Sequence, residues 1–505
     1  MEKIGELNWR SNFEENMREW FKVSARDKTF LHNTAREKIN YSEAKKKIRS
    51  QLKTLQQNIP DFASLVGIYA EKSIASTLFI YSIILNEKGY LPLDVQSPFS
   101  RVVSILKDAK PTALIVEKKF SELLTLALEE NSIHFQVKKF QSGFQLFVFE
   151  KPKKYPADVL NVLYTSGSTG VPKGIIQTGL CAWHFMIQNH ILLNSFKIKS
   201  YLSIAPYHFD ISVFDLFVPL SESGRLLVPK QQEMNNSRLM AEMIAVKKIE
   251  LIYSTPSFFN WLMETGRLEK HDFSKVKVIL IAGEVLRWDI VKRLKKYFSN
   301  AVMFNFYGPT ETNVCLHYRI DFDDEKRYAA SVPIGKTCIG STIKLLKTKN
   351  GKELIVAGTC VMYNYVNGDK SRFKTIEKHR YYKTGDIVEE AFDGNYAFVS
   401  RADRMIKRNG YRIEPAEIER GLKNLEGVKQ VAIITTNENS TIKIHAFLVS
   451  DKKYETVFLK NYSADKIHYS MVPDTFTFVE SMPLNRNHKT DEGKLLQTLP
   501  NSLTH

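Results

Sequence analysis

Short apolar runs alternate with longer helix-spaced patterns along the larger, N-terminal part of the chain. Runs of mostly apolar residues bounded by polar or glycine-containing segments are typical of buried strands. They occur at 62–70, 113–116, 159–164, 200–204, 251–253, 276–281 and 302–306. Helical patterns separate several of them, at 75–85, 120–128 and 182–192. Strands that alternate with helices in this way predict an α/β fold with largely parallel sheets.

The two ends of the chain have other patterns. Residues 10–57 are mostly helical in spacing, with a strand end at 39–40 and Ser42 as the expected cap of the next helix. From 343 to 357 the pattern changes to strands without long helices, and the tail follows the order helix, strand, strand at 414–425, 430–435 and 441–449. The predicted fold is therefore α/β, with a large N-terminal lobe of mixed and parallel sheets, helices and a β-rich subdomain, followed by a small α+β C-terminal lobe.

Composition narrows the class of protein. Of the 505 residues, 43% are hydrophobic and 25% are charged, which is ordinary for a soluble globular protein. No apolar run is long enough to span a bilayer, and the polar N-terminus lacks the hydrophobic region of a signal peptide. The four cysteines have no metal-binding spacing, so we expect buried thiols in a reducing cytoplasm.

The formal net charge of +17 comes from 72 Lys and Arg against 55 Asp and Glu. Such an excess can attract nucleic acid, an anionic membrane or an acidic protein. The lysines occur in short, scattered runs that do not interleave with aromatic residues as nucleic-acid modules require. We therefore expect a solvated basic surface, no nucleic-acid partner and no membrane partner, although an acidic carrier protein would suit this charge.

The stretch 163–174 carries the strongest chemical signal, and it reads LYTSGSTGVPKG between two predicted strands. Its glycines allow close approach of the backbone to a ligand, successive N–H groups form a nest for an anion, and hydroxyls and Lys173 add donors and charge. A polyphosphate is the natural ligand of such a loop. The P-loop pattern is not met, because Val171 and Pro172 separate Gly170 from the lysine, and the composition alone also fits a flexible surface turn.

Two further motifs bring carboxylates to predicted strand ends. Segment 305–311 reads NFYGPTE, and its Gly-Pro turn would present Thr310 and Glu311 at the carboxyl end of a strand, where α/β sites lie. A glutamate beside a triphosphate is suited to Mg²⁺, although an exposed loop carboxylate would give the same pattern. Segment 382–386 reads YKTGD, in which Asp386 could accept hydrogen bonds from two ribose hydroxyls or simply lie in a turn.

Together these motifs resemble those of the adenylate-forming (ANL) superfamily, which includes acyl-CoA synthetases, luciferases and amino-acid adenylation domains of the nonribosomal peptide synthetase type. The three segments match its signatures YTSGSTGxPKG, NxYGPTE and YxTGD. The resemblance implies ATP and Mg²⁺ as cofactors, with Glu311 as the metal ligand and Asp386 on the ribose. It implies catalytic roles for Thr165, Glu311 and Lys489. The implied ATP site consists of Thr165, Ser166, Gly167, Ser168, Thr169, Gly170, Lys173, Tyr307, Gly308, Thr310, Asp386, Arg401 and Lys489.

Segments 400–403 and 406–414 resemble the signature GRxDxxIKxxGxRIExxEIE, with Ser400 in place of the usual glycine. By this resemblance Arg401 would meet phosphate or ribose, and Asp403 would be the pivot of a hinge, 400–403. The hinge would join an adenylation core, 1–399, to a mobile lobe, 404–505, that carries the catalytic lysine. Gly410 would lie where a pantetheine arm passes, since glycine permits close approach.

A last motif, 482–491, resembles LPLTPNGKVDR and places Lys489 at the position of the catalytic lysine. Arg486 replaces a proline and His488 replaces a glycine, so the loop loses one rigid and one flexible residue and is more basic than usual. The chain ends soon after this motif without a carrier-protein segment, so we expect a free-standing enzyme.

The segment Phe-Asp-x-Ser at 209–212 resembles the amino-acid branch of the superfamily, in which the aspartate pairs with the substrate α-ammonium. Burial of an unpaired carboxylate in an apolar pocket costs free energy, so a cationic group on the substrate is also a physical requirement. The alternative interpretation is that Asp210 caps a helix. Alignment of the motifs gives a pocket that is apolar between two charged ends. It consists of Asp210, Ile211, Phe214, Tyr253, Leu280, Ala282, Gly283, Phe306, Val314, Cys315 and Lys489.

This pocket disfavours charged side chains and, because of its bulk, favours a small substrate. Without Gly283 it reads D-I-F-Y-L-A-F-V-C-K, which is similar to the D-L-L-Y-L-A-L-V-C-K pattern of free-standing proline-activating enzymes. The resemblance implies L-proline, joined to AMP and then to the phosphopantetheine thiol of a separate acyl or peptidyl carrier protein. Another small amino acid, such as D-alanine, and an acyl-CoA synthetase remain open, though Asp210 disfavours the CoA branch. A different interpretation is that the chain is a basic nucleic-acid-binding protein, but this gives no reason for the glycine-rich stretch 163–174 to occur together with Glu311 and Asp386.

Overall fold

The computed structural model describes residues 17–21, 27–33, 37–60, 64–167, 171–322, 331–438, 441–483 and 490–499. The chain divides into two compact units. The first unit comprises Met1–Val95, Asp108–Leu163 and Gly174–Ala402. The second unit comprises Gln96–Lys107, Tyr164–Lys173 and Asp403–His505. The second unit thus combines the C-terminal residues with two short segments from earlier in the chain, one of which is the glycine-rich loop.

The strands of the described residues are numbered in chain order. They are β1 (Thr29–His32), β2 (Lys38–Asn40), β3 (Leu65–Tyr69), β4 (Gly89–Leu93), β5 (Ala113–Glu117), β6 (Phe135–Gln141), β7 (Phe144–Phe149), β8 (Val159–Thr165), β9 (Lys173–Thr178), β10 (Ser200–Leu202), β11 (Arg225–Leu227), β12 (Leu251–Ser254), β13 (Val278–Ala282), β14 (Val302–Tyr307), β15 (Leu316–Arg319), β16 (Lys336–Thr337), β17 (Ser341–Thr348), β18 (Gly351–Gly358), β19 (Asn364–Tyr365), β20 (Phe373–Ile376), β21 (His379–Glu390), β22 (Tyr396–Arg401), β23 (Ile406–Arg408), β24 (Tyr411–Ile413), β25 (Val428–Glu438), β26 (Thr441–Ser450) and β27 (Thr475–Phe478).

The α-helices that follow β2 are likewise numbered in order. They are α1 (Tyr41–Asn58), α2 (Ile74–Leu85), α3 (Phe99–Ala109), α4 (Lys118–Glu130), α5 (Gly179–Leu193), α6 (Ser212–Ser221), α7 (Gln231–Met234), α8 (Ser237–Val246), α9 (Pro256–Thr265), α10 (Trp288–Tyr297), α11 (Pro415–Lys423), α12 (Thr456–Lys466) and α13 (Glu492–Leu496).

Two large mixed sheets organise the described residues of the first unit. One has nine strands in the order β16-β15-β14-β13-β12-β10-β11-β1-β2, and its strands from β14 to β1 are parallel. The other has eight strands in the order β19-β9-β8-β4-β3-β5-β7-β6, with β3 parallel to both β4 and β5. A third, antiparallel sheet of five strands joins β17, β18, β21 and β20, with β22 paired to β21.

Helix α2 lies in the core of the first unit. Its sequence IASTLFIYSIIL is apolar on nearly every face, and every residue of the helix except Ala75 is buried. Ser73 caps its N-terminus by accepting a hydrogen bond from the N–H of Ser76. One apolar cluster joins α2 to α5, α6 and strands of both large sheets. Such close-packed contacts hold strand ends of the two sheets in fixed positions.

The described C-terminal part of the second unit is a small α+β structure. Strand β26 pairs with β25 in antiparallel and with β27 in parallel fashion, and β23 and β24 form a hairpin. Helices α11 and α12 cover the sheet through Ile418, Leu422 and Leu459, which are buried with Ile433 and Ile444. The hairpin turns through Asn409 and Gly410, both with positive φ (52° and 79°), as two-residue hairpin loops require.

The predicted fold class is confirmed, but two local predictions are wrong. Residues 29–32 form a strand instead of continuing a helical region, because their backbone pairs with β11 and β2 at the edge of the nine-stranded sheet. The strand end predicted at 39–40 is confirmed by β2. Helix α1 is capped by Asn40 and not by Ser42, since Asn40 accepts from the N–H of Glu43 while Glu43 accepts from the N–H of Asn40. The four cysteines are buried thiols, as predicted. Among the described helices, none has the length and apolar character needed to cross a bilayer.

Candidate active site

The turn formed by residues 205–211, called here the Asp210 turn, connects β10 to α6 in the first unit. Ser212 begins the helix, and its Oγ donates hydrogen bonds to the carbonyls of Tyr207 (3.1 Å) and Phe209 (2.6 Å). The half-buried Asp210 lies between these anchored residues. It is not the helix cap, because Ile211 holds that position. The alternative interpretation of Asp210 as a capping residue is therefore wrong.

Three buried aromatic rings, those of Phe214, Tyr253 and Phe306, form what is called here the ring cluster. The ring centroid of Tyr253 lies 5.2 Å from that of Phe214 and 5.8 Å from that of Phe306, and both pairs are edge-to-face. The parallel register of β12, β13 and β14 sets Tyr253 opposite Leu280 and Ala282 opposite Phe306. Successive strands thus bring predicted pocket residues to one region.

Most of the predicted pocket residues lie together. Phe209 and Ile211, which flank Asp210, belong to or pack against the same large apolar core as the ring cluster. The same apolar cluster contains Ile211, Phe214, Tyr253, Leu280, Ala282 and Phe306, with Val314 packed against it. Cys315 is buried in a second cluster beside Tyr307. Gly283 follows β13 with φ of 93°, a conformation that favours glycine.

Asp210 lies within electrostatic reach of the ring cluster. Burial raises the pKa of the Tyr253 hydroxyl well above its usual value, and the negative charge of Asp210 raises it further. The tyrosine therefore stays neutral beside the carboxylate. An apolar floor with one carboxylate at its side is suited to a small molecule that carries a cationic group.

Glu311 lies in the turn after β14 and is 1% exposed, so it is not the exposed loop carboxylate that the sequence left open. Its Oε1 accepts a hydrogen bond of 2.8 Å from the Tyr365 hydroxyl, which lies 3.2 Å from the hydroxyl of Tyr382. The preceding residue is fixed as well, because Gln177 donates from Nε2 to the carbonyl of Thr310 at 2.8 Å. The carboxylate is thus held at the end of a parallel strand.

Gly308 is required by the same turn. A Cβ at this position would lie 1.6 Å from the carbonyl oxygen of Asn313 and 3.0 Å from the Cα of Val314. The backbone after β14 therefore folds back on itself more closely than any residue with a side chain would allow.

Asp386 is 3% exposed and lies at the junction of β21 and β22. Its Oδ1 accepts from Nη1 of Arg401 at 2.6 Å, and its Oδ2 accepts from the hydroxyl of Tyr307. Arg401 also donates to the carbonyl of Thr384 at 2.9 Å. A carboxylate has about four acceptor positions, so these bonds leave capacity for the two hydroxyls that the sequence predicts as its ligands.

In the second unit, the glycine-rich loop leaves β8 at Thr165 and returns at Lys173. Ser166 is buried, and its Oγ donates a hydrogen bond to the carbonyl of Arg412. Gly167 must be glycine, because a Cβ there would lie 2.0 Å from the carbonyl oxygen of Val171. Ser168, Thr169 and Gly170 lie outside the described residues.

A carboxylate from α11 contacts this loop. Glu417 forms an ion pair with Arg101 of α3, and it lies close enough to the N–H of Gly167 for this group to lower its pKa. Burial raises the pKa of Glu417, while Arg101 opposes the shift. A carboxylate of the chain itself therefore lies near one N–H of the predicted anion nest.

The remaining predicted residues have the following positions. Lys489 lies outside the described residues. The boundary between the two units falls between Ala402 and Asp403, the residue predicted as a hinge. Gly410 lies in the β23–β24 hairpin turn, so its positive φ gives a second reason for glycine there. The roles predicted for these three residues stay predictions.

Several residues that complete these sites were not predicted. Tyr365, Tyr382 and Gln177 hold the Glu311 turn, and Glu417 contacts the loop. Their partners are distant in the sequence and their residue types are ordinary for a core or a surface. Only Glu417 had a weak signal in the sequence, since it follows Glu414 within the signature matched from residue 400 onward.

Comparison with known proteins agrees with the geometry. The family profile described as "AMP-binding enzyme" matches residues 17–366. An L-proline--[L-prolyl-carrier protein] ligase of Streptomyces coelicolor is 29% identical over 438 residues, and the match covers 81% of this chain and 82% of the ligase. Bacitracin synthase 3 of Bacillus licheniformis is 28% identical over 476 residues, or 91% of this chain. The chain spans only 7% of that synthase.

Among solved structures, an adenylation domain, AlmE, of Vibrio cholerae in complex with glycyl-adenosine-5'-phosphate has the same fold. It superposes with a TM-score of 0.81 at 19% identity, covering 96% of each chain. At this identity the similarity supports the fold alone.

Proposed function

The chain belongs to the family of AMP-binding enzymes, and we propose that it activates a small amino acid, L-proline, as an aminoacyl adenylate and transfers it to a carrier protein. The observation that carries this proposal is the position of Asp210, which is half-buried and close enough to Tyr253 of the ring cluster to raise its pKa. A carboxylate there pairs with a substrate ammonium, and the apolar rings accept the rest of the molecule. Similarity to a proline–carrier protein ligase supports the same substrate.

Proline fits the surroundings better than a larger or charged amino acid. Its secondary ammonium group can donate to Asp210, and its ring is apolar and compact. The bulk of Phe214, Tyr253 and Phe306 leaves little room for longer side chains, and the apolar cluster offers no partner for a charged one.

In the first step, a carboxylate oxygen of the amino acid attacks the α-phosphorus of ATP. A new O–P bond forms, the bond between the α-phosphorus and its bridging oxygen breaks, and pyrophosphate leaves with that oxygen. The protein positions the reactants and stabilises charge. Asp386 holds the ribose, the loop from Thr165 to Lys173 binds the phosphates, and Lys489 stabilises the charge that develops between the carboxylate and the α-phosphate.

Glu311 fits a metal ligand, because it is a buried carboxylate fixed at a strand end. Mg²⁺ takes one or two protein carboxylates together with phosphate oxygens and water. When bound, Mg²⁺ would neutralise part of the charge of the phosphate oxygens.

In the second step, the thiol of a carrier-bound phosphopantetheine attacks the carbonyl carbon of the adenylate. A thioester forms, the bond to AMP breaks, and AMP leaves with its oxygen. We propose that the C-terminal residues reorient about Asp403 between the steps, so that Lys489 is replaced by the thiol passing Gly410. Movement of this kind would act as a gate between two half-reactions.

Amino-acid-dependent exchange of pyrophosphate into ATP tests the proposal. The assay should compare the standard amino acids, D-alanine and an aryl acid. We expect the strongest exchange with L-proline, and a loss of about a hundredfold in Asp210→Asn, because the ammonium loses its charged partner. The exposed Asp289→Asn is the matched control and should exchange like the parent protein.

Exchange with another amino acid would overturn the proline assignment and retain adenylation. Exchange with none of the acids would overturn the proposed reaction. Equal exchange in Asp210→Asn and the parent protein would remove Asp210 from the substrate site.

A further inference from the structure

We propose that Lys72 and Asp215 form a buried ion pair that positions the Asp210 turn, and thereby set the affinity of the enzyme for the ammonium group of its substrate. The inference rests on the proposed function for its substrate, but its structural part can be tested without catalysis. Lys72 and Asp215 are positioning residues, since neither belongs to the predicted pocket.

Lys72 is buried almost completely, which is unusual for a lysine. It lies between β3 and α2, with its side chain 4% exposed, and its Nζ lies 3.7 Å from Oδ2 of Asp215, whose side chain is 1% exposed. Burial lowers the pKa of Lys72 and raises that of Asp215, and each charge opposes the shift of the other. A buried pair of this kind costs desolvation energy, so packing alone does not explain it.

The contacts of Lys72 reach the start of the Asp210 turn. Its Nζ donates a hydrogen bond to the carbonyl of Ala205, the first residue of the turn. The same Nζ lies 5.1 Å from the ring centroid of Tyr207, within the range of a cation–π contact. The Tyr207 hydroxyl is hydrogen-bonded to Thr77 of α2, so the turn is attached to this helix as well as to Lys72.

The contacts of Asp215 reach the other end of the turn. Asp215 lies on α6, which begins immediately after the turn, and its Oδ2 accepts a hydrogen bond of 2.8 Å from Ser203 Oγ. Ser203 directly follows β10. The pair therefore joins the strand before the turn, the turn itself and the helix after it, with Asp210 between these attachments.

This arrangement explains why a charge is present where an apolar residue would cost less. The Ala205 carbonyl needs a donor, and the donor must be held at one position by a fixed counter-charge. Loss of the pair would leave this buried carbonyl without its charged donor and allow the turn to shift. The attraction between Asp210 and the substrate ammonium depends on the distance between them. A small shift of the turn would therefore weaken ammonium binding more than ATP binding.

The test uses the double variant Lys72→Met with Asp215→Asn, which removes both charges together and leaves none buried alone. Lys72→Arg is the conservative variant, which retains a charge and donors. Lys277→Met is the matched control, because Lys277 pairs with Glu250 at 2.8 Å close to β12 and β13 but away from the turn. Full-length proteins are compared in each measurement.

The first measurement is hydrogen exchange of the backbone. The N–H groups of Phe209, Ser212 and Val213 donate within the turn, each at 3.0 Å. We expect them to exchange about tenfold faster in the double variant and to change little in Lys72→Arg and Lys277→Met, while amides of β13 remain protected in all four proteins. Unchanged exchange at the turn, or equal acceleration in β13, would overturn the positioning role whether or not the enzyme acts on proline.

The second measurement is pyrophosphate exchange with L-proline. We expect the KM for proline to rise about tenfold in the double variant, with the KM for ATP changed less than about twofold and partial recovery in Lys72→Arg. Preference for proline over cyclopentanecarboxylate, which lacks the ammonium, should fall by a similar factor. Equal changes in both KM values would indicate a purely structural pair. If the parent protein shows no exchange with any amino acid, the proposed function fails and the hydrogen-exchange result still decides the positioning role.

Discussion

The amino-acid pocket and the glycine-rich loop are built by different means. The pocket is formed by large apolar side chains on parallel strands, and its rings touch edge to face in a close-packed core. The loop is formed by small and polar residues, and its described contacts include the hydrogen bond from Ser166 to the carbonyl of Arg412. Packing fixes a shape and excludes water, whereas hydrogen bonds can be exchanged for those of a ligand. Under the proposed function, the first region would select the amino acid and the second would bind and release phosphate.

The largest effect should come from a residue that acts on charge alone. We expect Lys489→Ala to reduce proline-dependent pyrophosphate exchange by about a hundredfold or more, since it removes a donor to the developing negative charge. Transfer from separately prepared prolyl-AMP to the carrier protein should be retained, as measured by mass spectrometry of the loaded carrier. The apolar side chains of the pocket would be unchanged, so charge stabilisation would be separated functionally from substrate selection.

Asp403→Pro is the companion variant and should show the reverse. Adenylation should persist while thiolation falls, because proline restricts the backbone at the predicted hinge. A parallel loss of both half-reactions in each variant would contradict the division of work between the two steps.

The next effect tests the packed region. Phe306→Ala should lower the free energy of unfolding by about 3–5 kcal/mol, because it leaves a cavity beside Tyr253. Denaturant unfolding measures this loss. The same cavity should improve exchange with amino acids larger than proline, relative to proline.

Phe322→Ala is a suitable control for general destabilisation, since Phe322 packs against Trp288 and is only partly buried. It should leave the amino-acid preference unchanged. An unaltered preference in Phe306→Ala would show that the ring cluster does not limit the size of the substrate.

A smaller effect concerns the turn that carries Glu311. In Gly308→Ala the added Cβ would meet the carbonyl oxygen of Asn313, so the turn must shift. We expect the KM for ATP to rise about tenfold with a smaller change in the KM for proline. Gly493→Ala is the matched control, because its Cβ would meet only Asp491 Oδ1, at 3.6 Å. A larger change in the KM for proline than in the KM for ATP would indicate that this turn contributes to the amino-acid site.

The smallest effect concerns the carboxylate on the loop. In Glu417→Gln, the charged acceptor near the N–H of Gly167 is replaced by a neutral amide oxygen. Since a weaker internal acceptor competes less with phosphate, we expect the KM for ATP to fall about threefold. Arg101 loses its counter-charge, so the melting temperature should fall as well. Glu426→Gln, in an exposed pair with Lys452, is the control. A rise in the KM for ATP would indicate that Glu417 supports the loop for binding.

Local signals in the sequence were sufficient for much of this structure. Strands β8 and β9 and the loop between them were predicted because apolar runs and glycines act over a few residues. The α/β class followed from repeated alternation of such runs. The pocket residues were assigned through family resemblance, and their packing around Tyr253 depends on the register of β12, β13 and β14, which the sequence pattern alone does not specify.

Long-range partners could not be predicted. Burial of Glu311 depends on Tyr365 and Tyr382, which belong to strands of two other sheets. Grouping of the loop with the C-terminal residues depends on contacts such as Ser166 with Arg412. The cap at Asn40 was missed for a local reason, since Ser42 is an equally good capping residue by type.

The pair of Lys72 and Asp215 also has a consequence for the order of folding. Lys72 follows a strand of the eight-stranded sheet and Asp215 lies on the helix that follows a strand of the nine-stranded sheet. An intermediate in which only one sheet has condensed would hold a charge in its interior without the partner that compensates it. Such an intermediate would have a higher free energy until the second sheet forms. The contact between Lys72 and Asp215 therefore favours joint assembly of the two sheets over their independent collapse.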